Sequence, residues 1–468
     1  MISRRQVVQS LGAATSLPLL NACTAPLVAN DISQLEATRV SSIVPIRALE
    51  DIQEALRKPG WISVAGGRFS MGGQTSADQS RQLDCALYNQ LIHLDAAAKV
   101  VRVQAGMRWR DLQEILDPHN LSVKVMQSFS NFSIGGSVSV NCHGRYVGNG
   151  SIASTVRALQ IVLPNGEVLE TSRAQNSDLF AAAIGGYGLM GIISEVELDV
   201  VDNTTMERKI ESVALEDYPA WFAQLKNDPT VVMHNADLTP PFFNQPIAVT
   251  YHTTTKTLTD SRRLLPRAAS YAKEQNAIWA FTELPGGAAL RQKMVTNKLP
   301  HQPRVVTRNL EASLDVAGLE PRTRFMSTYL LQEYFIPVQN FLPFAQKMAE
   351  ILRAHNVNAL NVSIRHAPSD TISVLRWASE EVFCFVLYYK QRRFPWSDAQ
   401  TVPWTQALID AALANHGRYY LPYRPHASRE QFLAAYPSAH QFVNLKQEHD
   451  PNLRLINHLW QRYMGYLV

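Results

Sequence analysis

Four glycines lie within the stretch Val64-Ala65-Gly66-Gly67-Arg68-Phe69-Ser70-Met71-Gly72-Gly73-Gln74-Thr75. The apolar residues Trp61, Ile62 and Val64 lead into it and predict a short strand. Because glycine has no Cβ atom, a glycine turn after a strand lets backbone N–H groups approach a ligand closely, and a pyrophosphate fits such a turn. Gly66 and Gly67 are adjacent, so the spacing is not the G-x-G-x-x-G of Rossmann folds. Alone, the turn fits an ordinary glycine-rich connection equally well.

The length and charge of the chain limit the classes of protein to which it can belong. A chain of 468 residues exceeds what one core usually supports, so we expect two domains. Lysine and arginine number 44 against 40 acidic residues, which gives a net charge of +4 without a dense basic run. This balance argues against nucleic acid as a partner.

Residues 1–30 have the features of an export signal and tether. Ser3-Arg4-Arg5-Gln6 is a twin-arginine pattern, and the apolar run after it is too short to span a bilayer. Leu20-Asn21-Ala22-Cys23 resembles a bacterial lipobox, with Cys23 as an acylated first residue; the alternative is a plain twin-arginine signal cleaved nearby. Both interpretations predict a periplasmic protein exported after folding, and the lipobox adds a lipid anchor in the membrane.

Three further cysteines, Cys85, Cys142 and Cys384, form no C-x-x-C pair and have no Cys/His metal spacing. An odd number cannot pair fully within the chain. The sequence therefore predicts neither a disulfide framework nor a metal site, and we interpret these residues as buried thiols.

A second glycine turn lies within Ser128-Phe129-Ser130-Asn131-Phe132-Ser133-Ile134-Gly135-Gly136 and leads to Asn141-Cys142-His143-Gly144. Pro164-Asn165-Gly166 separates two apolar runs and predicts a hairpin, because Asn-Gly accepts positive φ. A helix opening at Asp178-Leu179-Phe180 and a strand opening at Gly191-Ile192-Ile193 follow. The glycine density falls near Asp202, where we place a domain boundary.

The second region has longer amphipathic elements. A helix over 341–352 and three strands over 360–366, 372–378 and 382–389 indicate helix packed on an antiparallel sheet. Asp450-Pro451 has the residues typical of the N-cap and first position of a helix, so we expect the last helix to begin there.

Taken in this order, the motifs resemble the FAD-binding domain of the vanillyl-alcohol-oxidase superfamily. The branch of sugar-lactone oxidases, alditol oxidases and decaprenylphosphoryl-ribose oxidase is the most similar, on the segments Gln332-Glu333-Tyr334-Phe335-Ile336-Pro337, Val362-Ser363-Ile364-Arg365, Tyr436-Pro437 and His449-Asp450-Pro451. The resemblance implies an α+β fold. A two-subdomain PCMH-type FAD-binding domain is expected over 36–202, an α+β substrate (cap) domain with an antiparallel sheet over 203–417, and a segment that returns to the FAD-binding domain over 418–468.

The same resemblance implies which residues hold FAD. The first turn is expected to wrap the pyrophosphate, and the second to run beside the ribityl chain and isoalloxazine. Ile193 is expected to hold the adenine through its main chain, and Tyr420 to approach the flavin. The implied cofactor-binding residues are Gly66, Gly67, Arg68, Phe69, Ser70, Gln74, Ser128, Ser133, Gly135, Gly136, Asn141, Cys142, His143, Ile193 and Tyr420.

Two positions depart from the family pattern. Phe69 stands where many relatives carry the histidine that bonds covalently to the flavin, and no cysteine stands a few residues before Gly135 for a second link. FAD is therefore expected to be non-covalent. By its spacing from Tyr436-Pro437, Tyr423 stands where this branch carries a lysine near the flavin N5.

Four residues are candidate catalytic groups: Tyr423, Arg365, His143 and Gln332. The fork of Arg365 suits hydroxyls, a carboxylate or a developing alkoxide, and the alternative is a surface ion pair. Tyr423 is expected to donate to a substrate oxygen, or to act as a base if its pKa is depressed, or only to pack. His143 is expected at the flavin wall, in proton handling or as a structural histidine, and Gln332 to hydrogen-bond substrate or flavin.

The prediction is an FAD-dependent oxidoreductase that oxidises a CH–OH group of a polyol, sugar, sugar lactone or related compound by hydride transfer to flavin N5. The expected acceptor is O2 or a quinone or redox carrier. Cys142 fills the position that gates oxygen in the plant galactonolactone branch, which favours a dehydrogenase. The alternatives are a reductase of the enolpyruvyl-UDP-sugar type and a non-catalytic envelope lipoprotein that keeps the flavin fold for ligand or partner binding.

Overall fold

The computed structural model describes residues 26–291 and 303–468. The twin-arginine pattern and Cys23 lie outside the described residues, so the export signal and lipid anchor remain predictions. Within the described ranges, no helix is both long and apolar enough to cross a membrane.

Short strands and helices alternate in the first part of the chain. In chain order they are β1 (Val28–Ala29), β2 (Thr38–Arg39), β3 (Ser42–Pro45), α1 (Leu49–Arg57), β4 (Ile62–Ala65), β5 (Arg81–Asp84), β6 (Leu91–Asp95), β7 (Val100–Gln104), α2 (Trp109–Leu116), β8 (Leu121–Val123), α3 (Ile134–Ser139), β9 (Val156–Val162), β10 (Val168–Ser172), α4 (Ser177–Ala183) and β11 (Ile192–Asp202). Strands β3, β5 and β4 form a small parallel sheet. An antiparallel sheet has the order β10-β9-β11-β7-β6, with β8 also paired to β11.

The predicted hairpin is confirmed. Strands β9 and β10 pair antiparallel with Val162 opposite Val168. Gly166 in the connection has a φ of +88°, a conformation that favours glycine. The predicted strand that starts at Ile192 is also confirmed, and β11 buries alternate side chains such as Val196 and Leu198.

One large antiparallel sheet dominates the second part. Its elements and the helices around it are β12 (Thr205–Ser212), α5 (Tyr218–Leu225), β13 (Val231–Leu238), β14 (Ile247–Thr253), α6 (Ala272–Glu283), α7 (Gly287–Arg291), β15 (Arg304–Thr307), α8 (Arg308–Ala312), β16 (Ser327–Pro337), α9 (Phe341–Ala354), β17 (Ala359–Ala367), β18 (Val382–Arg392) and α10 (Ser397–Ala414). With β19 (Arg418–Tyr419), the strand order is β15-β12-β14-β13-β17-β18-β16-β19. Helix α9 buries Phe341, Phe344 and Met348 at helical spacing, as an amphipathic helix on a sheet requires. Helices with antiparallel sheets confirm the α+β class.

The C-terminal segment contacts the first part of the chain. After β19 come α11 (Arg429–Ala435), α12 (Ala439–His449) and α13 (His458–Tyr463). The N–H of Ile62 in β4 donates to the Arg454 carbonyl at 2.7 Å, and the N–H of Met71 donates to the Pro422 carbonyl at 2.7 Å. These bonds hold the 421–456 stretch beside the first glycine turn.

The strand predicted over 372–378 is wrong, because this stretch is a loop between β17 and β18. Its apolar residues are buried against the first part of the chain rather than paired in the sheet. The N–H of Val374 donates to the Ala181 carbonyl at 3.1 Å, and Trp377 Nε1 donates to the Asn141 carbonyl at 2.9 Å. A short apolar run does not distinguish a strand from a buried loop, since both exclude water.

The helix start predicted at Asp450-Pro451 is also wrong. Asp450 follows α12, and α13 begins only after Asn457, whose side chain accepts from the Trp460 N–H. The Asp450 carboxylate accepts from the backbone N–H groups of Arg454 and Leu455 in a tight loop. It also accepts from Lys446 Nζ at 2.8 Å, and both side chains are almost fully buried.

The buried pair of Lys446 and Asp450 attaches the C-terminal segment to the first part of the chain. Lys446 Nζ donates in addition to the Leu189 carbonyl at 3.0 Å and lies 5.1 Å from the ring centroid of Trp460. Burial lowers the pKa of Lys446, while the Asp450 carboxylate opposes this effect and favours the charged amine.

We expect Lys446→Ala to lower the free energy of unfolding by about 3–5 kcal/mol, because it leaves the Asp450 carboxylate buried without its counter-charge. The matched control is Lys347→Ala, which removes an exposed pair with Glu350 and is expected to cost less than about 1 kcal/mol. Urea unfolding of both variants in the FAD-loaded state measures the difference. Equal losses in the two variants would contradict the assigned role of the buried pair.

Candidate functional site

The first glycine turn, residues 66–70, follows β4 and packs directly on the second turn. The Gly67 N–H donates to Ser133 Oγ at 3.1 Å. A Cβ atom at Gly66 would lie 2.2 Å from the same Ser133 Oγ. Arg68 has a φ of +56°, and its guanidinium bonds to Asp84 and Gln82 on β5. The backbone of the turn is thus held by its neighbours, and its open face is available to a ligand.

The second glycine turn, residues 128–136, leads into α3 and packs on the end of β7. The Gly135 N–H donates to the Ala105 carbonyl at 2.8 Å, and a Cβ atom at Gly135 would lie 2.6 Å from Ala105 Cβ. Ser128 Oγ is buried and has no hydrogen-bond partner among the described residues. Two backbone segments without side-chain bulk and an unsatisfied hydroxyl are the features expected where a phosphate-bearing cofactor lies.

Two cavities open on these turns. The larger, of about 360 Å³, is lined by Gly66, Gly67, Arg68, Phe69, Ser70, Ser128, Ser133, Gly136, Cys142, His143 and Tyr420 among others. The smaller, of about 70 Å³, shares Gly66, Ser70, Ser133 and Gly136 and adds Gln74, Gly135 and Ile193. The path from Ile193 past the turns to the larger cavity fits an FAD molecule extended from adenine to flavin.

The structure brings together all the predicted cofactor residues except Asn141. The Asn141 side chain donates to Asp370 Oδ2 at 2.8 Å and to Ser373 Oγ at 3.3 Å, so its amide holds the 370–373 loop. It lines neither cavity. Asn141 therefore holds this loop with its side chain, and the contact of the 141–143 segment with the cofactor stays a prediction.

One face of the large sheet forms the opposite wall of the larger cavity. Leu331 and Glu333 on β16, Ser363 and Arg365 on β17, and Val386 on β18 all line it. Glu333 and Val386 are cross-strand partners, so they share a face. Side chains alternate along a strand, and the next residue therefore points away.

The structure places Gln332 away from this wall for the same reason, so its predicted bond to substrate or flavin has no support from the cavity. Gln332 pairs with Leu387 on the other face of the sheet, where Tyr389 packs against Trp404 of α10 with ring centroids 4.9 Å apart. Gln332 is buried there and lines neither cavity. Its neighbour Glu333, which sequence reasoning missed, faces the cavity instead.

Glu333 is the centre of a buried polar cluster with two predicted residues, His143 and Tyr423. Its Oε1 forms a hydrogen bond with His143 Nε2, and its Oε2 accepts from the Tyr423 hydroxyl at 3.4 Å. The side chains of His143 and Glu333 are each only 2% exposed. The rings of Trp377 and Phe335 lie 5.0 and 5.6 Å from the His143 ring, so the cluster sits in an apolar surround.

The pKa of Tyr423 decides between two of its predicted roles. Burial raises this pKa well above its usual value, the Glu333 carboxylate raises it further, and Arg365 only partly opposes them. Tyr423 therefore stays protonated and serves as a hydrogen-bond donor rather than a base.

Arg365 contributes the positive charge on this wall. Its guanidinium reaches the cavity, and its Nε is buried without a hydrogen-bond partner among the described residues. The other N–H groups of the Arg365 fork are bonded to nothing else among the described residues and are available to a substrate oxygen. Cys142 also lines the cavity, and burial raises the pKa of its thiol, which keeps it neutral.

His143, Glu333 and Cys384 are the group of three donor side chains that approach one another within 4.8 Å in the described structure. His143 and Glu333 already bond to each other, and burial with the nearby Glu333 raises the pKa of the Cys384 thiol well above its usual value. A neutral thiol beside a satisfied pair is unlike a set of metal ligands, which are deprotonated.

Comparison with known proteins identifies the class of domain in the first part of the chain. Residues 44–172 match the family described as FAD binding domain. This segment contains the first turn, the second turn and the hairpin. The chain therefore carries an FAD-binding domain of the PCMH type with FAD as its cofactor, and the resemblance to the vanillyl-alcohol-oxidase superfamily is confirmed.

Three curated relatives match parts of the chain. The chain is 31% identical over 140 residues to L-gulonolactone oxidase of Mus musculus, covering 30% of this chain and 32% of the relative. It is 30% identical over 184 residues to decaprenylphosphoryl-beta-D-ribose oxidase of Mycolicibacterium smegmatis, covering 39% and 38%. It is 30% identical over 107 residues to alditol oxidase of Streptomyces sp., covering 23% and 25%. The matched segments thus span between 25% and 38% of these three relatives' own length.

We expect Gly66→Ala to lower the FAD content of the purified protein at least about tenfold, because the added Cβ displaces Ser133 Oγ and breaks its bond to the Gly67 N–H. The ratio of flavin to protein absorbance measures this. Gly465→Ala is the matched control, since its Cβ would meet nothing closer than 3.3 Å. Full FAD occupancy in Gly66→Ala would contradict the placement of the pyrophosphate at this turn.

Proposed function

We propose that the protein is an FAD-dependent oxidoreductase that oxidises a CH–OH group of a polyol, sugar, sugar lactone or related hydroxylated compound. The proposal rests on the larger of the two cavities that open on the glycine turns. The turns form one wall of this cavity, and Arg365, Glu333 and Tyr423 lie on the other. The relatives named as gulonolactone, ribose-derivative and alditol oxidases support the substrate class.

The residues of the cavity have complementary tasks in such a reaction. When bound, FAD supplies a two-electron acceptor for a hydride from carbon. Arg365 offers N–H donors to the substrate oxygen as negative charge develops on it. The protonated Tyr423 can turn its one hydroxyl proton from the Glu333 carboxylate to the substrate oxygen, and the apolar side chains of Leu331 and Val386 exclude water from the wall.

We propose that FAD is held without a covalent bond. Phe69 lines the cavity with its ring centroid 4.5 Å from that of Phe132, and its carbon atoms cannot act as the nucleophile that a histidine supplies in many relatives. The acceptor of the electrons is O2 or a quinone or redox carrier, and the buried Cys142 before His143 favours a dehydrogenase.

We also propose a periplasmic location reached by the twin-arginine route, with a lipid anchor at Cys23. The support is the sequence pattern of residues 3–23. A non-covalent cofactor agrees with a route that exports folded proteins, since FAD is then loaded before export.

Acid precipitation tests how FAD is held. We expect the supernatant to be yellow and the pellet colourless, because contacts alone retain the cofactor and unfolding removes them. The precipitated protein is expected to show no flavin fluorescence on a denaturing gel. A yellow pellet would contradict the role assigned to Phe69.

A substrate panel tests the reaction. We expect at least one of xylitol, D-sorbitol, L-gulono-1,4-lactone and L-galactono-1,4-lactone to bleach the flavin absorbance anaerobically and to support dye reduction. Bleaching by NADPH instead would support the reductase. Glycan binding without any bleaching would support the non-catalytic lipoprotein.

Arg365→Met, with its FAD content unchanged, is expected to lower kcat/KM roughly 10- to 100-fold, because a charged hydrogen bond to substrate contributes about 1.5–3 kcal/mol.

A further inference from the structure

We propose that the Glu333 carboxylate receives the hydroxyl proton of the substrate alcohol at Oε2, with His143 holding Oε1. The inference rests on the proposed function and adds to it the group that accepts the proton. It makes Glu333, rather than a tyrosine or histidine, the base of the site.

The geometry leaves one oxygen of Glu333 free for this task. His143 Nε2 forms a hydrogen bond with Oε1 and so occupies that oxygen. Within residues 26–291 and 303–468, Oε2 has only the long 3.4 Å contact from the Tyr423 hydroxyl. Both Glu333 and Tyr423 line the cavity that receives the substrate, so a substrate hydroxyl can approach Oε2 beside Arg365.

The other groups of the cluster are less suitable as proton acceptors. Tyr423 and Cys384 keep their protons because burial raises the pKa of both groups. His143 uses Nε2 for Glu333, and its Nδ1 is buried with almost no accessible surface, so a substrate in the cavity does not reach it. The guanidinium of Arg365 has N–H donors and no acceptor atom, so it can only donate.

A second carboxylate, Glu320, also lines the cavity but has another partner. It forms an ion pair with Arg324, four residues along the chain. Its side chain is 21% exposed, against 2% for Glu333. A carboxylate buried to this extent keeps a transferred proton from exchanging with solvent during the step.

The proton and the hydride leave the substrate for two different acceptors. The substrate O–H bond breaks and its proton moves to Glu333 Oε2, while the carbinol C–H bond breaks and its hydride, carrying two electrons, reduces the bound FAD as the C=O bond forms. Glu333 returns the proton to solvent when the carbonyl product leaves.

The first test is the rate of anaerobic flavin bleaching by the fastest alcohol of the panel. Glu333→Gln keeps the size of the side chain and is expected to lower this rate about 10²- to 10⁴-fold, as expected for loss of a general base, with FAD content unchanged. Formate added to Glu333→Ala is expected to restore part of the rate. Wild-type rates in Glu333→Gln would overturn the inference.

The matched control is Glu381→Gln. Glu381 also pairs with a histidine, since His366 Nε2 lies 2.6 Å from its Oε1, but it lines neither cavity. We expect its bleaching rate to equal that of the wild type. If Glu381→Gln lost as much of the bleaching rate as Glu333→Gln, the loss would come from breaking a Glu–His pair anywhere in the fold. That result would overturn the inference.

The second test does not depend on alcohol oxidation. Removing the Glu333 charge from the cavity is expected to make the flavin midpoint potential less negative in Glu333→Gln and to leave it unchanged in Glu381→Gln. An unchanged potential in Glu333→Gln, or a stoichiometric metal ion in the purified wild-type protein, would overturn the inference. If no panel alcohol bleaches the wild type, the proposed function fails; if the wild type and Glu333→Gln bleach alike, only this inference fails.

Discussion

The close approach of two glycine turns is the constraint on which the site depends. Gly66 lies against Ser133 and Gly135 lies against Ala105, at distances that leave no room for a Cβ atom. This contact brings the end of β4 and the start of α3 together although 66 residues separate Gly67 from Ser133. Both cavities open along the resulting groove, so the path for FAD exists only because these backbones touch.

The C-terminal segment completes this groove from a distant part of the chain. The side-chain amide of Gln74 donates to the carbonyls of Leu421 and Tyr423, which ties the first turn to the segment that carries Tyr420 and Tyr423. The Tyr420 hydroxyl donates to the Val140 carbonyl at 2.7 Å, which attaches the same segment to the end of α3, the helix that follows the second turn. The buried pair of Lys446 and Asp450 secures it further along. The position of the Tyr423 hydroxyl in the cavity is therefore set by backbone contacts and not by its own strand or helix.

A buried charge in an apolar surround is the main electrostatic feature of the site. Taking a carboxylate out of water costs several kcal/mol, and the cost is offset only when its oxygens have partners. Glu333 has His143 and Tyr423 as such partners, and Arg365 supplies the opposite charge across the same face of the sheet. The low dielectric raises the free-energy cost of burying this cluster, and it also strengthens the hydrogen bonds that the cluster can make to a substrate. The same residues therefore affect both the stability of the fold and the reaction.

The sequence by itself determined the features that depend on neighbouring residues: the glycine turns, the hairpin at Asn165-Gly166, the amphipathic α9 and the FAD-binding class. It did not determine which face of β16 is buried in the site, because Gln332 and Glu333 are both polar and a strand turns adjacent side chains to opposite sides. It also did not show that 372–378 packs as a loop or that Asp450 pairs with Lys446, since local capping and apolar signals are the same in both settings. These choices were decided by the tertiary structure, where contacts between residues far apart in the chain outweigh local preference.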